Sequence, residues 1–311
     1  MLHVTLRQLR VFDAVARQLS FTRAARELHL TQPAVSMQIK QLEDRAGLAL
    51  FEQIGKRIFL TEAGHEMQRY GRSIARQLDE LGTVLDGLRG LKSGRLAISV
   101  ASTANYFAPQ LLAAFWRRFP AITVSLDVTN REALLRQLAE NEVDMVIMGQ
   151  PPQGLSLTLE SFAENPLVVI AAPDHSLATA RRIPLKRLQR ETFLMREHGS
   201  GTRIAMERFF AHKGITLTTG TEMSSNEAIK QAVGAGMGLG IVSLHTLELE
   251  LQAQRLKVLD VQGFPIVRHW YVVHPEDKRL SASGLAFKGF LLEEAAKLMR
   301  TAHAAPSLKR L

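Results

Sequence analysis

Residue types that often carry catalysis occur in this chain, but not at the spacing that catalysis requires. His65 and Glu66 begin like a zinc-protease helix, yet Arg69 stands where the second histidine ligand belongs. The glycine-rich stretch 236–240 leads into a predicted strand instead of following one, so the context of a nucleotide-binding loop is absent. Ser200 lies between two glycines without the pattern of a nucleophile elbow. We therefore predict that the protein is not an enzyme and uses no metal or other cofactor.

Polar residues within the first 60 positions are instead typical of nucleic-acid binding. Gln32 and Ser36 cluster at the N-terminal end of a predicted helix, and Lys40 also lies off its buried stripe. The first turns of a recognition helix enter the major groove, where amide and hydroxyl groups reach base edges or phosphates. Lys56 and Arg57 lie in a glycine-containing turn that suits contact with phosphate or the minor groove. For this basic pair, an ordinary surface hairpin with solvated charges is the alternative.

Three further polar stretches lie after a predicted strand or before a predicted helix, where anionic ligands are often bound. Their members are Ser102, Thr103 and Asn105; Glu197, Gly199, Ser200, Gly201, Thr202 and Arg203; and Ser224, Ser225 and Asn226. The N-terminus of a helix offers amide donors to an anion, and Arg203 adds a fork suited to phosphate or carboxylate. Each stretch alone is more commonly a cap or a turn. Together they predict an anion-binding site.

The composition is that of a soluble globular protein with a basic balance. The 311 residues include 39 Lys and Arg against 30 Asp and Glu, and this net charge of +9 favours a polyanionic partner without proving one. The absence of cysteine excludes disulfides, iron–sulfur clusters and cysteine-based redox sensing. Apolar stretches such as 167–173 are far shorter than the roughly 20 residues that cross a bilayer, and Arg7, Arg10 and Asp13 interrupt any secretory signal. We expect a cytoplasmic protein without a membrane span.

The candidate DNA-binding residues require a three-helix unit followed by two strands. Apolar periodicity predicts helices over 5–18, 23–29 and 32–45, and strands over 48–53 and 58–61. Ser20 or Thr22 is the expected N-cap of the second helix, and Thr31 is that of the third. Pro33 is tolerated in the first turn, where no intrahelical donor is lost. The two strands and the turn between them form a predicted wing.

A long helix is predicted after the wing. Its apolar residues step by three or four positions and form one stripe: Met67, Tyr70, Ile74, Leu78, Leu81, Leu85 and Leu88. This stripe predicts a partner helix, either in a second copy of the chain or in another domain of the same chain. A two-fold dimer would hold two recognition helices about one DNA turn apart, or a multiple of it, so a palindromic operator is expected.

Strands alternate with helices from Arg95 onward, after a short connector at 90–94. Strands are predicted at 96–100, 122–128, 143–148, 167–172, 192–195, 219–223, 239–242 and 270–273, and helices at 109–119, 131–140, 202–212 and 226–235. This alternation indicates parallel sheets in two α/β lobes, with the ligand between the lobes at the carboxyl ends of strands. A final amphipathic helix at 285–299 is expected to return to the first lobe.

The stretch from Leu6 to Gly64 resembles the N-terminal domain of LysR-type transcriptional regulators, through the segments SFTRAARELHLTQPAVSMQIKQLE and LFEQIGKRIFLTEAG. The resemblance implies two sets of DNA contacts: Gln32, Pro33, Ser36 and Met37 at the groove, and Thr22, Arg23, Lys56 and Arg57 near the DNA backbone. Many relatives have Arg where this chain has Met37, which leaves the base preference at that position open. The resemblance also implies dimerisation through the long helix.

The C-terminal two thirds resembles the periplasmic-binding-protein-like effector domain of the same regulators. The phrases ISVASTANYFAP and REHGSGTR are similar to those of LysR-type regulators that control carbon-fixation (Calvin-cycle, RuBisCO) operons. This similarity implies an activator that responds to ribulose bisphosphate, phosphoenolpyruvate or NADPH. A LysR-type regulator of another metabolic operon, with a different carboxylate effector, is the alternative. A cytoplasmic solute-binding protein is the rival from another class.

The expected fold is α/β, with an N-terminal all-α winged helix-turn-helix, a linker helix and a two-lobed effector domain. The expected boundaries are 1–61 for DNA binding, 62–90 for the linker and dimerisation helix, and 91–311 for the effector domain. Within the last, lobe I is expected at about 95–166 and 269–300, and lobe II at about 167–268. The expected partners are double-stranded promoter DNA, a small anionic effector, further copies of the chain in a homodimer and a homotetramer, and RNA polymerase.

Overall fold

The structure, a computed structural model, describes residues 4–55, 57–88 and 94–302. The chain divides into two compact units, Met1–Leu85 with Glu140–Glu142 and Asp86–Ala139 with Val143–Leu311. The predicted connector at 90–94 lies outside the described residues except for Gly94. Within the described ranges, no helix combines the length and the apolar character that crossing a membrane requires.

The first unit contains the predicted helices and wing. Its elements are α1 (Leu6–Gln18), α2 (Phe21–Glu27), α3 (Gln32–Ala46), β1 (Phe51–Ile54), β2 (Arg57–Leu60) and α4 (Glu62–Leu88). Helix α2 begins two residues before the predicted start because Ser20, and not Thr22, is its N-cap, with its hydroxyl accepting from the amide of Arg23 at 3.3 Å. Strands β1 and β2 form an antiparallel hairpin in which Ile54 lies opposite Arg57.

The core of the first unit lies where α1, α2 and α3 meet the start of the wing. Ala24 and Ala25 are buried in α2 and allow close helix contact, while the rings of Phe12 and Phe51 pack in a tilted arrangement with their centroids 5.2 Å apart. Glu43, near the end of α3, accepts hydrogen bonds from the amides of Leu50 at 2.8 Å and Phe51 at 3.2 Å. Since α3 and β1 are joined by these hydrogen bonds, the position of α3 also fixes the start of the hairpin.

The second unit alternates strands and helices. Its strands are β3 (Gly94–Ala101), β4 (Ile122–Thr129), β5 (Met145–Met148), β6 (Leu157–Ala171), β7 (Thr192–Arg196), β8 (Thr218–Met223), β9 (Leu239–Ser243), β10 (Lys257–Val258) and β11 (Ile266–Pro275). Its α-helices are α5 (Ala108–Arg118), α6 (Arg131–Ala139), α7 (Gly201–His212), α8 (Asn226–Gly234), α9 (Glu248–Gln252), α10 (Ala282–Phe290) and α11 (Ala296–Ala302). A π-helical turn, Leu291–Ala295, joins α10 to α11.

The strands of the second unit form one mixed sheet in the order β4-β3-β5-β11-β6-β9-β7-β8, with β10 beside β6. The pairs β3–β4, β3–β5, β7–β8 and β7–β9 are parallel, as the alternation predicted. In the middle of the sheet, β11 runs antiparallel to both β5 and β6, and β6 runs antiparallel to β9. Two α/β halves are therefore joined through a central antiparallel pair.

Strands β6 and β11 are much longer than the sequence indicated. Prediction gave only 167–172 and 270–273 as strand, because the apolar runs stop there. The segment 157–166 alternates exposed and buried positions and contains Pro166, so it lacks the continuous apolar pattern of a buried strand. The expected lobe boundaries at 166/167 and 268/269 fall inside these two strands, which cross from one half to the other.

Helices cover both faces of each half of the sheet. In the half that contains β3, β4 and β5, residues of α5 and α10 form one apolar cluster with the sheet, and α6 contributes to another. Phe115 and Phe287 meet edge to face in the first cluster, with ring centroids 5.0 Å apart. The C-terminal helix therefore returns to the first half, as predicted.

Candidate nucleic-acid interface and ligand cavity

The N-terminal end of α3 presents the predicted groove-facing residues to solvent. The Thr31 hydroxyl caps the helix by accepting from the amide of Ala34 at 3.4 Å, and Pro33 lies in the first turn. Gln32 donates to the hydroxyl of Ser36 at 2.8 Å, which places the two side chains together on the surface of the helix. An exposed amide and hydroxyl pair at a helix N-terminus is suited to base edges and phosphates.

Exposed and buried residues occupy opposite sides of α3. Val35, Ile39 and Leu42 are buried in the core of the unit, whereas Lys40 is exposed and Met37 is 55% exposed. An apolar side chain in this position cannot donate the paired hydrogen bonds that arginine gives to guanine, but it can contact the methyl group of thymine.

The remaining predicted DNA contacts lie at the start of α2 and on the wing. Thr22 and Arg23 are exposed, and the guanidinium group of Arg23 donates to the carbonyl oxygen of Gln18. Arg57 is exposed at the beginning of β2, while Lys56 lies outside the described residues. Gly55 has a φ of +63°, so the turn of the wing uses a left-handed backbone conformation that glycine adopts readily.

Helix α4 exposes the apolar stripe that the sequence singled out. Within the described side chains, five large apolar residues on it are between 41% and 58% exposed: Tyr70, Ile74, Leu78, Leu81 and Leu85. The side chain of Leu88 lies outside the described part. A continuous row of exposed apolar side chains is unusual on a single chain and typical of a helix that packs against a partner.

The second unit contains a cavity at the carboxyl ends of strands from both halves of the sheet. Its walls come from residues at or just after the carboxyl ends of β3, β4, β5 and β7, together with residues of the crossing strands β6 and β11. Its enclosed volume is about 40 Å³, and it opens to solvent. Six of the predicted ligand residues line it: Ser102, Thr103, Glu197, Ser200, Gly201 and Thr202.

Arg196 organises one wall of the cavity. Its guanidinium group binds the Glu197 carboxylate through two hydrogen bonds of 2.7 Å, and it donates to the side-chain oxygen of Asn226 at 2.5 Å. The amide of Asn226 in turn donates to the Thr103 hydroxyl at 3.0 Å. Arg196 and Glu197 therefore neutralise each other, and their network joins the ends of β3 and β7 to the start of α8.

Two other arginines bring positive charge to the cavity. Arg131 donates to the carbonyl oxygen of Gln150 and Arg268 to that of Gly201, both at 2.7 Å, and neither forms an ion pair within the described ranges. A Cβ atom built on Gly201 would lie 3.8 Å from Nη1 of Arg268 and 3.9 Å from Nη1 of Arg131. The two guanidinium groups thus converge on the first residue of α7.

The electrostatics of this pair favour an anion. Burial, and secondly the charge of Arg131, lower the pKa of Arg268 to about 10. Burial, and secondly the charge of Arg208, lower the pKa of Arg131 below its ordinary value. Helix α7 has no side-chain cap, so its first amide groups are also directed toward the cavity end of the helix. Two desolvated cations at an uncapped helix N-terminus are stabilised when an anion binds between them.

Six residues of the three predicted stretches do not line the cavity, Gly199 and Ser224 among them. Arg203 points away from it, since its guanidinium group binds Glu207 at 2.7 Å and Glu222 at 2.5 Å. Asn105 is exposed, and the Ser225 hydroxyl caps α8 by accepting from the amide of Ala228 at 3.1 Å. Asn226 lies behind the lining, where it supports Arg196 and Thr103.

Sequence reasoning missed the residues that give the cavity its charge and its floor. Arg131, Arg196 and Arg268 lie in three different elements, and Asn165 and Trp270 lie on the two crossing strands. Arg196 directly follows the predicted strand 192–195, and Arg131 opens the predicted helix 131–140, so both occupy positions that could have identified them. The others lie inside strands, where the sequence pattern does not separate a functional polar residue from a surface residue.

Comparison with known proteins identifies two families along the chain. Residues 6–65 match the family described as "Bacterial regulatory helix-turn-helix protein, lysR family", and residues 89–296 match the "LysR substrate binding domain". The RuBisCO operon transcriptional regulator of Allochromatium vinosum is 58% identical over 297 residues, which cover 96% of this chain and 98% of that protein.

Solved structures show the same architecture. The Synechocystis PCC6803 CcmR regulatory domain in complex with 2-PG is 44% identical, with a TM-score of 0.62, and the match covers 64% of this chain and 96% of that chain. Full-length CbnR complexed with its target DNA gives a TM-score of 0.70 at 23% identity, over 93% of this chain and 99% of that chain. The second likeness concerns the fold alone.

Proposed function

Because this chain belongs to the LysR family of bacterial transcription regulators, we propose that it controls carbon-fixation genes in response to a small anionic metabolite. The family regulates transcription and is not catalytic, so the chain is a regulator and not an enzyme. The relative at 58% identity, named as a RuBisCO operon regulator, supports the target genes. The observation that carries the ligand class is the convergence of Arg131 and Arg268 on one cavity.

The output of this regulator is promoter DNA binding by a dimer. Helix α3 enters the major groove with Gln32 and Ser36 at the bases, Lys40 alongside, and Arg57 of the wing at the backbone. Thr22, Arg23, Pro33, Met37 and Lys56 complete the proposed interface. The exposed apolar stripe of α4 supports pairing with a second copy, because burying it removes apolar surface from water. A tetramer built from two such dimers, and contact with RNA polymerase at an activated promoter, extend this proposal.

The input is an anion bound at Arg131, Arg268 and the N-terminus of α7. The relative crystallised with 2-PG, 2-phosphoglycolate, supports a ligand that carries phosphate and carboxylate groups. Thr103, Ser102 and Thr202 supply hydroxyl groups around it. Because the lining comes from both halves of the sheet, a bound anion stabilises one arrangement of the two halves over others, and this differential affinity biases DNA binding.

DNA recognition is tested by fluorescence anisotropy with the intergenic DNA upstream of the gene that neighbours this one. The native sequence is expected to bind more tightly than a version with its palindrome scrambled. Gln32→Ala is expected to reduce that difference by about 1–3 kcal/mol, the value of a good base contact. Equal binding of native and scrambled DNA would contradict sequence-specific regulation.

The effector response is tested by calorimetry with 2-phosphoglycolate, followed by DNase footprinting with and without it. Binding together with a changed footprint supports the proposed coupling. Tight binding that leaves both footprint and DNA bend unchanged would contradict it. If a carboxylate without phosphate produces the larger response, the regulator serves a different metabolic operon.

A further inference from the structure

The floor of the cavity contains a buried amide that the fold does not use. Asn165, on β6, has no exposed surface, and it lines the cavity. Within the described residues, neither its side-chain nitrogen nor its side-chain oxygen has a hydrogen-bond partner. Buried polar groups are normally paired, since leaving one unpaired destabilises the folded state. An unpaired amide at a ligand cavity therefore indicates a group reserved for a ligand.

Two neighbouring side chains on β11 repeat this pattern. Arg268 lies directly opposite Asn165 in the β6–β11 register, so the two side chains share one face of the sheet, with Cβ atoms about 5 Å apart. Trp270 lies two residues further on and faces the same side. Nε of Arg268 and Nε1 of Trp270 are also buried, and neither has a hydrogen-bond partner in the described ranges.

The chemistry of these atoms defines what they can bind. Arg268, Trp270 and the nitrogen of Asn165 are donors, and each needs an acceptor. The oxygen of Asn165 is an acceptor and needs a donor. Ionised phosphate and carboxylate groups offer acceptors only, so they leave the Asn165 oxygen unpaired. A hydroxyl group offers both an acceptor and a donor, and it can pair with both atoms of the amide.

We propose that Asn165 is a specificity-determining residue that reads a hydroxyl group on the anionic effector, beside a phosphate or carboxylate held at Arg131 and Arg268. The site is thus expected to prefer anions that also carry a hydroxyl group over anions without one, 2-phosphoglycolate among the latter. This inference rests on the proposed function, because it takes the cavity to be the effector site. The cross-strand register fixes the position of Asn165 next to Arg268.

The test uses the full chain and isothermal titration calorimetry with three probes. Glycerol 3-phosphate and n-propyl phosphate have the same length and the same phosphate group and differ only in hydroxyl groups, and inorganic phosphate is the minimal anion. The wild-type protein is expected to bind glycerol 3-phosphate at least about tenfold more tightly than propyl phosphate, because a site built for a hydroxyl group rejects the analogue that lacks it. Asn165→Leu, which removes both polar atoms at similar volume, is expected to abolish that preference.

The variant is also expected to keep its affinity for propyl phosphate within about threefold and to unfold at no lower temperature, because it removes two unpaired buried atoms. Asn165→Ser, which keeps a donor and an acceptor, is expected to retain part of the preference. Equal wild-type affinity for the two organic phosphates, or equal losses for both in Asn165→Leu, would overturn the inference while leaving the effector site intact. If none of the three probes nor 2-phosphoglycolate binds, the proposed effector site itself fails.

Discussion

Replacing Arg268 with methionine distinguishes its effect on the stability of the ligand-free protein from its effect on the affinity for the effector. Methionine has a similar length and no charge, so it keeps much of the packing while it removes the cation. Within the described part of the chain, the guanidinium group of Arg268 makes one hydrogen bond, to the carbonyl oxygen of Gly201 at 2.7 Å. We expect Arg268→Met to change the stability of the ligand-free protein little and to weaken effector binding strongly.

The magnitude follows from the burial of the charge. Burial lowers the pKa of Arg268 to about 10, far enough below the ordinary value of arginine that charging it in the cavity costs roughly 3 kcal/mol at about 1.4 kcal/mol per pKa unit. The hydrogen bond to Gly201 returns about 1.5–3 kcal/mol. Because the variant loses both contributions, the free energy of unfolding without ligand is expected to change by no more than about 2 kcal/mol. Loss of one charged hydrogen bond to the effector corresponds to about a 10- to 150-fold rise in Kd.

The assay combines urea unfolding of the ligand-free protein with calorimetric titration of 2-phosphoglycolate. Arg203→Met is the matched control, since Arg203 also lies near the start of α7 but is bound to Glu207 and Glu222 and does not line the cavity. The control is expected to keep the wild-type Kd. An unchanged Kd in Arg268→Met would refute the role of this arginine in anion binding, and a stability loss above about 4 kcal/mol would mark it as structural.

Three further predictions concern stability, DNA binding and pH. Gly64→Ala is expected to destabilise the first unit by about 1–3 kcal/mol in urea unfolding, because a Cβ atom there would lie 2.1 Å from the carbonyl oxygen of Leu50. Gly71→Ala, whose Cβ would meet only an ordinary contact of 3.5 Å, is the control, and equal unfolding midpoints would disprove the close approach. Arg57→Ala is expected to weaken native and scrambled DNA alike and to reduce the slope of log Kd against log salt by about 0.9, so an unchanged slope would exclude a phosphate contact. Burial lowers the pKa of His274, so the folded state binds fewer protons than the unfolded state, and the free energy of unfolding should fall as the pH drops below about 6.5. The check is the free energy of unfolding of wild type and of His274→Gln, measured from about pH 7.5 to 5.5. Parallel curves of this free energy against pH would count against the prediction.

The DNA-binding unit was largely predictable because the information for it is local. Apolar spacing identified the three helices, and the cap at Thr31 lies three residues from the amide that it accepts from. The start of α2 was displaced by two residues, since the sequence offers two hydroxyl caps and only the fold selects Ser20. In the second unit, the alternation of strands and helices likewise predicted the α/β halves and the polar stretches at strand ends, which supply six residues of the cavity lining.

The charge and selectivity of the cavity depend on pairs that are distant in sequence. Arg131 and Arg268 are 137 positions apart, and only the pairing of the crossing strand β11 with β5 and β6 brings them to the same helix N-terminus. Arg203 has a guanidinium group suited to an anion and lies at the start of a predicted helix, but the carboxylates of Glu207 and Glu222 hold it outside the cavity.

The sequence by itself therefore determined the family and most of the secondary structure, because family motifs, periodicity and capping can be recognised over short stretches of the chain. The tertiary structure alone decided which arginines remain without a carboxylate partner and which buried amide faces the ligand. Electrostatic pairing and burial are properties of residues that meet in space, and the order of the chain does not fix them.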